Sequence, residues 1–357
     1  MTEVARTHGG LLFSDRIRGL AVRVGVVVVA SILGVLFLWM GGYDPAAAAR
    51  AMVRGSFGSW DTFVSITLVR SVPLILTGLA VGLAFRAGIW NIGAEGQLYA
   101  GAIGAAWVAL SFPGLPAWIL VPMVMMSAAI GGALWALIPT LMRLRLGVGE
   151  VITTILMNFL GVHLASYVVH GPLQESTGVF PQTDRIAEHA SLPMLLPGTR
   201  LHWGFGLALI VAAGLAVIFR RARFGFQLRA VGSSLQAAAS AGRINVRRVI
   251  FITFLGSGAI AGIAGGTEVA GVTFALYEGL SPGWGYTAIA VALLAGLDPL
   301  GIVLSGILFA ALHAGSAAMQ RDAGVPLAWV GVVEAIVILA VLVIIQKRHA
   351  RSGGGGL

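Results

Sequence analysis

The chain has 357 residues, of which 58% are apolar and only 10% charged, whereas a soluble domain carries roughly 25% charged residues. With a mean hydropathy of +0.93 and several runs of about 20 apolar residues, each long enough to cross a bilayer, a water-soluble globular fold is excluded and an all-α polytopic membrane protein is expected. The net charge of +9 follows from where the arginines fall rather than from a nucleic-acid partner, and the absence of cysteine excludes disulfides, thiol catalysis and cysteine metal sites.

An N-terminal tail, 1–19, precedes ten predicted spans: 20–40, 62–85, 91–111, 117–142, 150–170, 201–220, 249–272, 284–297, 299–318 and 327–346. The transmembrane domain thus covers 20–346, and a tail of 347–357 follows. The first apolar stretch is longer than a signal core and has no small-x-small site directly after it, so an uncleaved anchor is expected. Cytoplasmic loops concentrate Lys and Arg. With both termini inside, 17 of the 23 Lys and Arg fall on cytoplasmic segments, five fall outside, and Arg70 lies within a span. Two connections are long. Residues 171–200 are external, proline-rich and mildly acidic, which suits a docking surface; residues 221–248 are internal and basic.

Ten spans divide into two halves of five with opposite orientation, the inverted-repeat plan of many transporters, although the halves share no convincing residue-level match. The 284–297 span is short and ends at Asp298-Pro299, and proline both breaks a helix and restricts its predecessor. It fits either a discontinuous helix lining a pathway or a tight cytoplasmic turn between two short helices. Gly78/Gly82 and Gly258/Gly262/Gly266 repeat every four residues, which lines glycine along one helix face for close packing.

Several chemistries are missing. Lys347 is the only lysine, and no GxxxxGK[ST] loop surrounds it, so the chain has no phosphate-binding loop for ATP hydrolysis. Its seven histidines show no metal spacing, and no GxSxG motif is present. A transport subunit without enzymatic activity or a cofactor of its own is expected.

Polar residues inside spans are costly and are therefore paired or functional. In RAGIWNIGAEGQLYAGA (86–102), a helix over 91–104 would put Gly93, Gly96, Ala100 and Gly104 on one face and Asn91 and Glu95 on the other, with Arg70 and Arg86 as candidate partners. The 150–170 span carries a stripe of Glu150, Thr154, Asn158, Gly161 and Ala165. Asn158 lies about 12 Å from the cytoplasmic end at 1.5 Å per residue, while Glu95 and Glu150 are expected near the cytoplasmic side. Asn158 can meet solute hydroxyls or make an interhelical hydrogen bond. Glu268 lies toward the outer end of its span. Trp284 and Tyr286 open the next, either to stack on a flat ligand or to mark the interfacial aromatic belt.

FRAGIWNIGAEGQLYAGA, GVGEVITTILMNFLGVHLASYVVHGPL, FGFQLRAVGSSLQAAASAGRINVRR and GYTAIAVALLAGLDPLGIVLSGILFAALHAGSAAMQ resemble, in this order across about residues 60–345, the permease subunits of bacterial ABC importers. The similarity lies within the branched-chain amino acid/simple sugar permease superfamily, on the side of its nucleoside (guanosine-type) permeases. It implies a multi-pass subunit of the bacterial cytoplasmic (inner) membrane that translocates nucleosides, with simple sugars or branched-chain amino acids as alternatives. The implied partners are a second homologous permease, cytoplasmic ATP-binding cassette ATPases that hold ATP and Mg, an extracytoplasmic substrate-binding lipoprotein and the lipid bilayer. From their polarity within the spans, Asn91, Glu95, Glu150 and Asn158 are the expected pathway residues, with Trp284 and Tyr286 as base-stacking candidates. The ATPase-coupling segment resembles LQAAASAG, with Leu235, Ala237, Ala238 and Gly242 beside Arg229; Gln236 stands where the family's motif often has glutamate. An ion-coupled secondary transporter using Glu95 or Glu268 is the alternative from another class.

Overall fold

Inside a bilayer no water satisfies the backbone, so a spanning chain closes its own hydrogen bonds as helices or a closed barrel. This chain uses helices. A computed structural model describes residues 32–326 except 241, together with positions 332 and 335. Both predicted tails, most of the 327–346 span and the start of the 20–40 span lie outside these residues. Among the described residues there is no strand, only the isolated bridges Gln182–Tyr277 and Met194–His202.

In chain order, α1 is Ile32–Met40 and α2 is Pro45–Phe57. One rod, Trp60–Arg86, consists of the turn α3 (Trp60–Thr62), a π-helical stretch (Phe63–Leu68) and α4 (Val69–Arg86). Then come α5 (Ala94–Ser111), α6 (Ala117–Leu146), α7 (Glu150–His170) and α8 (Gly204–Arg221), followed by the short α9 (Arg223–Ser233) and α10 (Leu235–Ser240). α11 (Val246–Glu268) continues into a π turn (Val269–Thr273), and α12 (Trp284–Leu294) and α13 (Pro299–Ala323) close the set.

Six of these rods are long and apolar enough to cross a membrane: Trp60–Arg86, α6, α7, α8, Val246–Thr273 and α13. The described residues therefore do not supply ten uninterrupted spans, and the differences have local causes. α1 and α2 meet at a 119° bend, where Gly42 takes φ +79° and Asp44 caps the Ala46 amide ahead of Pro45, a helix-start signature. α12 has eleven residues and ends where Gly296 and Leu297 both take positive φ, 61° and 60°.

Two compact units are present. In the first, α1, α2 and the part of α13 from Leu312 onward bury Leu38, Ala48, Ala51, Met319 and Val325. Gly55 and Gly315 admit the neighbouring helix: a Cβ on Gly55 would lie 2.2 Å from the Ala318 Cβ. In the second, Ser59–Ala311, the helices α5, α6 and α11 converge on a seam of small residues. A Cβ on Gly101 would lie 2.3 Å from the Gly262 Cα, one on Gly132 would lie 2.2 Å from the Gly258 carbonyl oxygen, and one on Gly265 would lie 2.0 Å from the Leu98 carbonyl oxygen. Gly78 and Gly82, on the predicted glycine face of α4, meet Val291 and Ile302. Backbones thus touch directly, which gives van der Waals contact where lipid removes the hydrophobic drive between helices.

Candidate functional site

Residues 87–93 do not form the helix expected from residue 91. Gly88 turns the chain at φ +69°, and the Asn91 Oδ1 accepts from the Gly93 amide at 3.0 Å, a local side-chain bond that competes with helix formation. The segment is irregular backbone, of the kind tolerated within a membrane where it is buried in protein or lines a water-filled cavity.

The polar stripe of α7 supplies the missing hydrogen bonds one turn at a time. The Trp90 amide donates to the Glu150 carboxylate (3.4 Å), the Ile92 amide to the Thr154 Oγ1 (3.3 Å), and the Gly96 amide to the Asn158 Oδ1 (2.9 Å). The Asn158 Nδ2 donates to the Ile92 carbonyl at 2.9 Å. Gly161 completes the stripe, since a Cβ there would lie 2.7 Å from the Gly96 Cα. Glu150 is itself ion-paired with Arg143 across the α6–α7 turn.

This ladder fixes depth. Trp90 lies level with Glu150, and Gly96 lies level with Asn158, about 12 Å further along α7 at 1.5 Å per residue. Glu95, next to Gly96, is therefore about two turns of α7 away from Glu150, which stays at the helix end beside Arg143.

At that depth two helix N-termini meet. Glu95, in the first turn of α5 and 2% exposed, accepts from the Gly285 amide in the first turn of α12 at 2.6 Å. Gly285 is obligatory there, because a Cβ would lie 2.3 Å from the Glu95 nitrogen. The Glu95 side chain thus answers an unpaired amide at the start of α12, while the Gly96 amide at the start of α5 is answered by Asn158. The Ser281 Oγ accepts from the Gly283 and Trp284 amides (3.1 and 3.0 Å), and the Tyr99 hydroxyl accepts from the Ser281 amide (3.1 Å). Asn91 is not on the Glu95 face. Fully buried, it forms a reciprocal amide pair with Gln97 (3.1 Å each way) and donates to the Ser257 Oγ at 2.9 Å. Tyr286 is 43% exposed and approaches the Asn158 side chain; Trp284 is partly buried.

The structure thus gathers Glu95, Asn158, Trp284 and Tyr286 around one junction, places Asn91 behind it, and leaves Glu150 at the start of α7 beside Arg143. Gln97, Tyr99, Ser281 and Gly285 complete it and were not singled out from sequence. The pattern Ser281-Pro282-Gly283 ahead of an apolar run is a helix-start signature that marks where α12 begins. No cluster of metal-ligating side chains occurs among the described residues.

Between α9 and α11, Ser234 caps α10 through the Ala237 amide (3.2 Å). Leu235 and Ala237 are exposed, Ala238 is buried, and Gly242 takes φ +67°. Arg229, though exposed, donates to the Phe219 carbonyl. The 171–200 segment pairs with the stretch after α11: the Thr183, Ile186 and Leu192 amides donate to the Leu276, Phe274 and Ala270 carbonyls (2.8–2.9 Å). Hydrogen bonds from Thr177, Gln182 and the Phe180 amide hold the exposed Glu175 carboxyl below its ordinary range. They order a turn that exposes Val179 and Phe180.

His202, between that segment and α8, is fully buried with its Nδ1 accepting from the Gly204 amide (3.1 Å) and its Nε2 unpartnered. Burial pushes its pKa down to about 4. The unfolded chain binds this proton at about pH 6.5, so stability is full above 6.5 and is lost as pH falls toward 4, by up to about 3 kcal/mol. Thermal unfolding in detergent is expected to show that slope, and His202→Gln is expected to flatten it; an unchanged slope would assign it to other groups.

A buried polar junction thus joins interrupted helices in a helical membrane chain. Residues 63–342 match the model for the branched-chain amino acid transport system / permease component family, and the chain belongs to that family. It is similar to a guanosine ABC transporter permease of Bacillus subtilis, 39% identical over 91% of this chain and 94% of the relative. A nucleoside ABC transporter permease of Lactococcus lactis is 32% identical over 92% of each chain. A glucose ABC transporter permease of Haloferax volcanii is 39% identical over 83% of this chain and 80% of the relative.

Proposed function

We propose that this chain is a membrane-spanning subunit of an ATP-driven importer that moves nucleosides across the cytoplasmic membrane. The observation that carries the proposal is the similarity, over more than nine tenths of both chains, to permeases of guanosine and nucleoside transporters. The Haloferax relative favours a second substrate class, simple sugars, but its alignment covers less of the chain, and a nucleoside offers both a sugar and a base.

The working assembly pairs the chain with a homologous permease. Cytoplasmic ATPases hold ATP and Mg and dock on α10 at Leu235 and Ala237, with Gly242 closing the turn. A substrate-binding lipoprotein docks on the 171–200 surface, where Val179 and Phe180 are exposed. Ten spans with both termini inside remain the proposed topology, with α5 and α12 as half-helices; such paired interruptions point to the transport pathway. Tyr286 is the aromatic surface offered to the base, with Trp284 beside it, and Asn91, Glu95, Glu150 and Asn158 supply the pathway's polarity chiefly by holding the two half-helices in place.

Proteoliposomes that carry all four kinds of subunit are expected to take up labelled guanosine only with ATP on the ATPase side. Unlabelled nucleosides should compete, and glucose and leucine should not. Competition by glucose would transfer the substrate assignment to sugars. Uptake on an ion gradient without the ATPase would replace the mechanism by secondary transport.

A further inference from the structure

Arg86, the last residue of α4, touches three elements at once. Its Nη1 donates to the Leu297 carbonyl, in the α12–α13 turn, at 3.0 Å. Its guanidinium lies 4.7 Å from the centroid of the Phe219 ring on α8, and the Phe219 carbonyl in turn accepts from Arg229 of α9. The backbone beside it is clasped by the end of α9: a Cβ on Gly232 would lie 2.3 Å from the Arg86 carbonyl oxygen, and one on Gly88 would lie 3.3 Å from the Gly232 Cα. An exposed ion pair, Arg220–Asp298 at 3.7 Å, bridges α8 and the same turn.

Two routes run from this point to the Glu95–Gly285 junction. One is the 87–93 segment, which follows Arg86 directly and leads into α5. The other is α12, an eleven-residue helix about 16 Å long, whose C-terminal turn is the one Arg86 holds. That turn is strained, because Leu297 sits at φ +60°, a conformation that costs a non-glycine residue free energy and persists only when its surroundings impose it. One guanidinium therefore anchors the cytoplasmic ends of both helices that meet at the buried carboxylate, and it is seated on the helices α8 and α9 that lead to α10.

We propose that Arg86 is a positioning residue that transmits displacement of α9 and α10 to α12, so that the Leu297 turn and the Glu95–Gly285 junction move with the ATPase. The inference rests on the importer function proposed above. A planar guanidinium is required, because it stacks on the ring with its face while donating from its edge, which an ammonium cannot reproduce.

The test measures ATP hydrolysed per guanosine transported in the reconstituted importer. Arg86→Gln is expected to raise this ratio about tenfold, the scale of a typical coupling free energy, through loss of uptake with hydrolysis persisting. Arg86→Lys is expected to restore it incompletely. Phe219→Leu, which keeps the apolar volume but removes the ring, is expected to raise it in the same direction and decides the matter if Arg86→Gln fails to assemble. If uptake and hydrolysis fall in proportion in these variants, or neither changes, Arg86 has a structural role and the inference is overturned. A wild-type importer without ATP-driven uptake would overturn the functional proposal itself, and the inference with it.

Discussion

Gly262→Val is expected to abolish stable assembly of the chain, with no detergent-soluble, monodisperse protein recovered. Even the alanine Cβ would lie 2.2 Å from the Ala128 carbonyl oxygen and 2.9 Å from the Gly132 Cα, both backbone atoms of α6. On another side the seam is closed by Gly101 of α5, whose own Cβ position is 2.3 Å from Gly262. Overpacking that side chains absorb by changing rotamer costs about 1–3 kcal/mol; here no rotamer can change, and two helices must separate instead. Gly262→Ala should therefore cost at least about 3 kcal/mol, a large share of a marginal total stability. Gly214→Ala on α8 provides the control, since nothing lies within 4 Å of its Cβ position. Thermal unfolding and size-exclusion profiles of the three variants would check the order. Equal stability of Gly262→Ala and wild type would show that the seam is not closed in the protein.

Asn158→Leu is expected to eliminate uptake while leaving the chain inserted and α7 intact. Leucine keeps the shape but withdraws the two hydrogen bonds that Asn158 contributes to the ladder, leaving the Ile92 carbonyl and the Gly96 amide without that partner. Each such loss costs about 1–3 kcal/mol, and that cost falls on the segment that leads to Glu95. Asn158→Asp grades the effect, because a carboxylate still accepts from Gly96 but cannot donate to Ile92. Uptake should rank wild type, Asp, Leu, and amide exchange at Gly96 should accelerate in the leucine variant. A leucine variant with faster exchange and normal uptake would show that the ladder is scaffolding alone.

Much of the fold was legible in the sequence because its signals are local. Hydropathy located the long helices, and the four-residue glycine spacing on α11 anticipated a packing face. The Glu150/Thr154/Asn158 stripe was visible as a periodicity, and an interhelical hydrogen bond was one of the two roles weighed for Asn158. What the stripe faces could not be read, because its partner is not a side chain pattern but the irregular backbone of 87–93. The same limit explains Asn91 and Glu95. A helical wheel drawn from residue 91 assumes a helix that Gly88 and the Asn91 side chain prevent, so the two residues point to different neighbours. The meeting of α5 with α12 joins residues 190 positions apart in sequence, and no single-chain periodicity records such a contact. The substrate is harder still to read. Relatives named for guanosine and for glucose each share 39% identity with this chain, and what separates them is coverage, 91% of the chain for the first and 83% for the second.

The glycine seam carries one more consequence. Closing a joint between large side chains surrenders rotamer freedom, up to about 2 kcal/mol for each long residue. Gly101, Gly132, Gly258, Gly262 and Gly265 have no rotamers to lose, so the dispersion gained where α5, α6 and α11 touch is not offset by side-chain entropy. That saving concerns side chains alone, because glycine gives up more backbone freedom than any other residue when its helix forms.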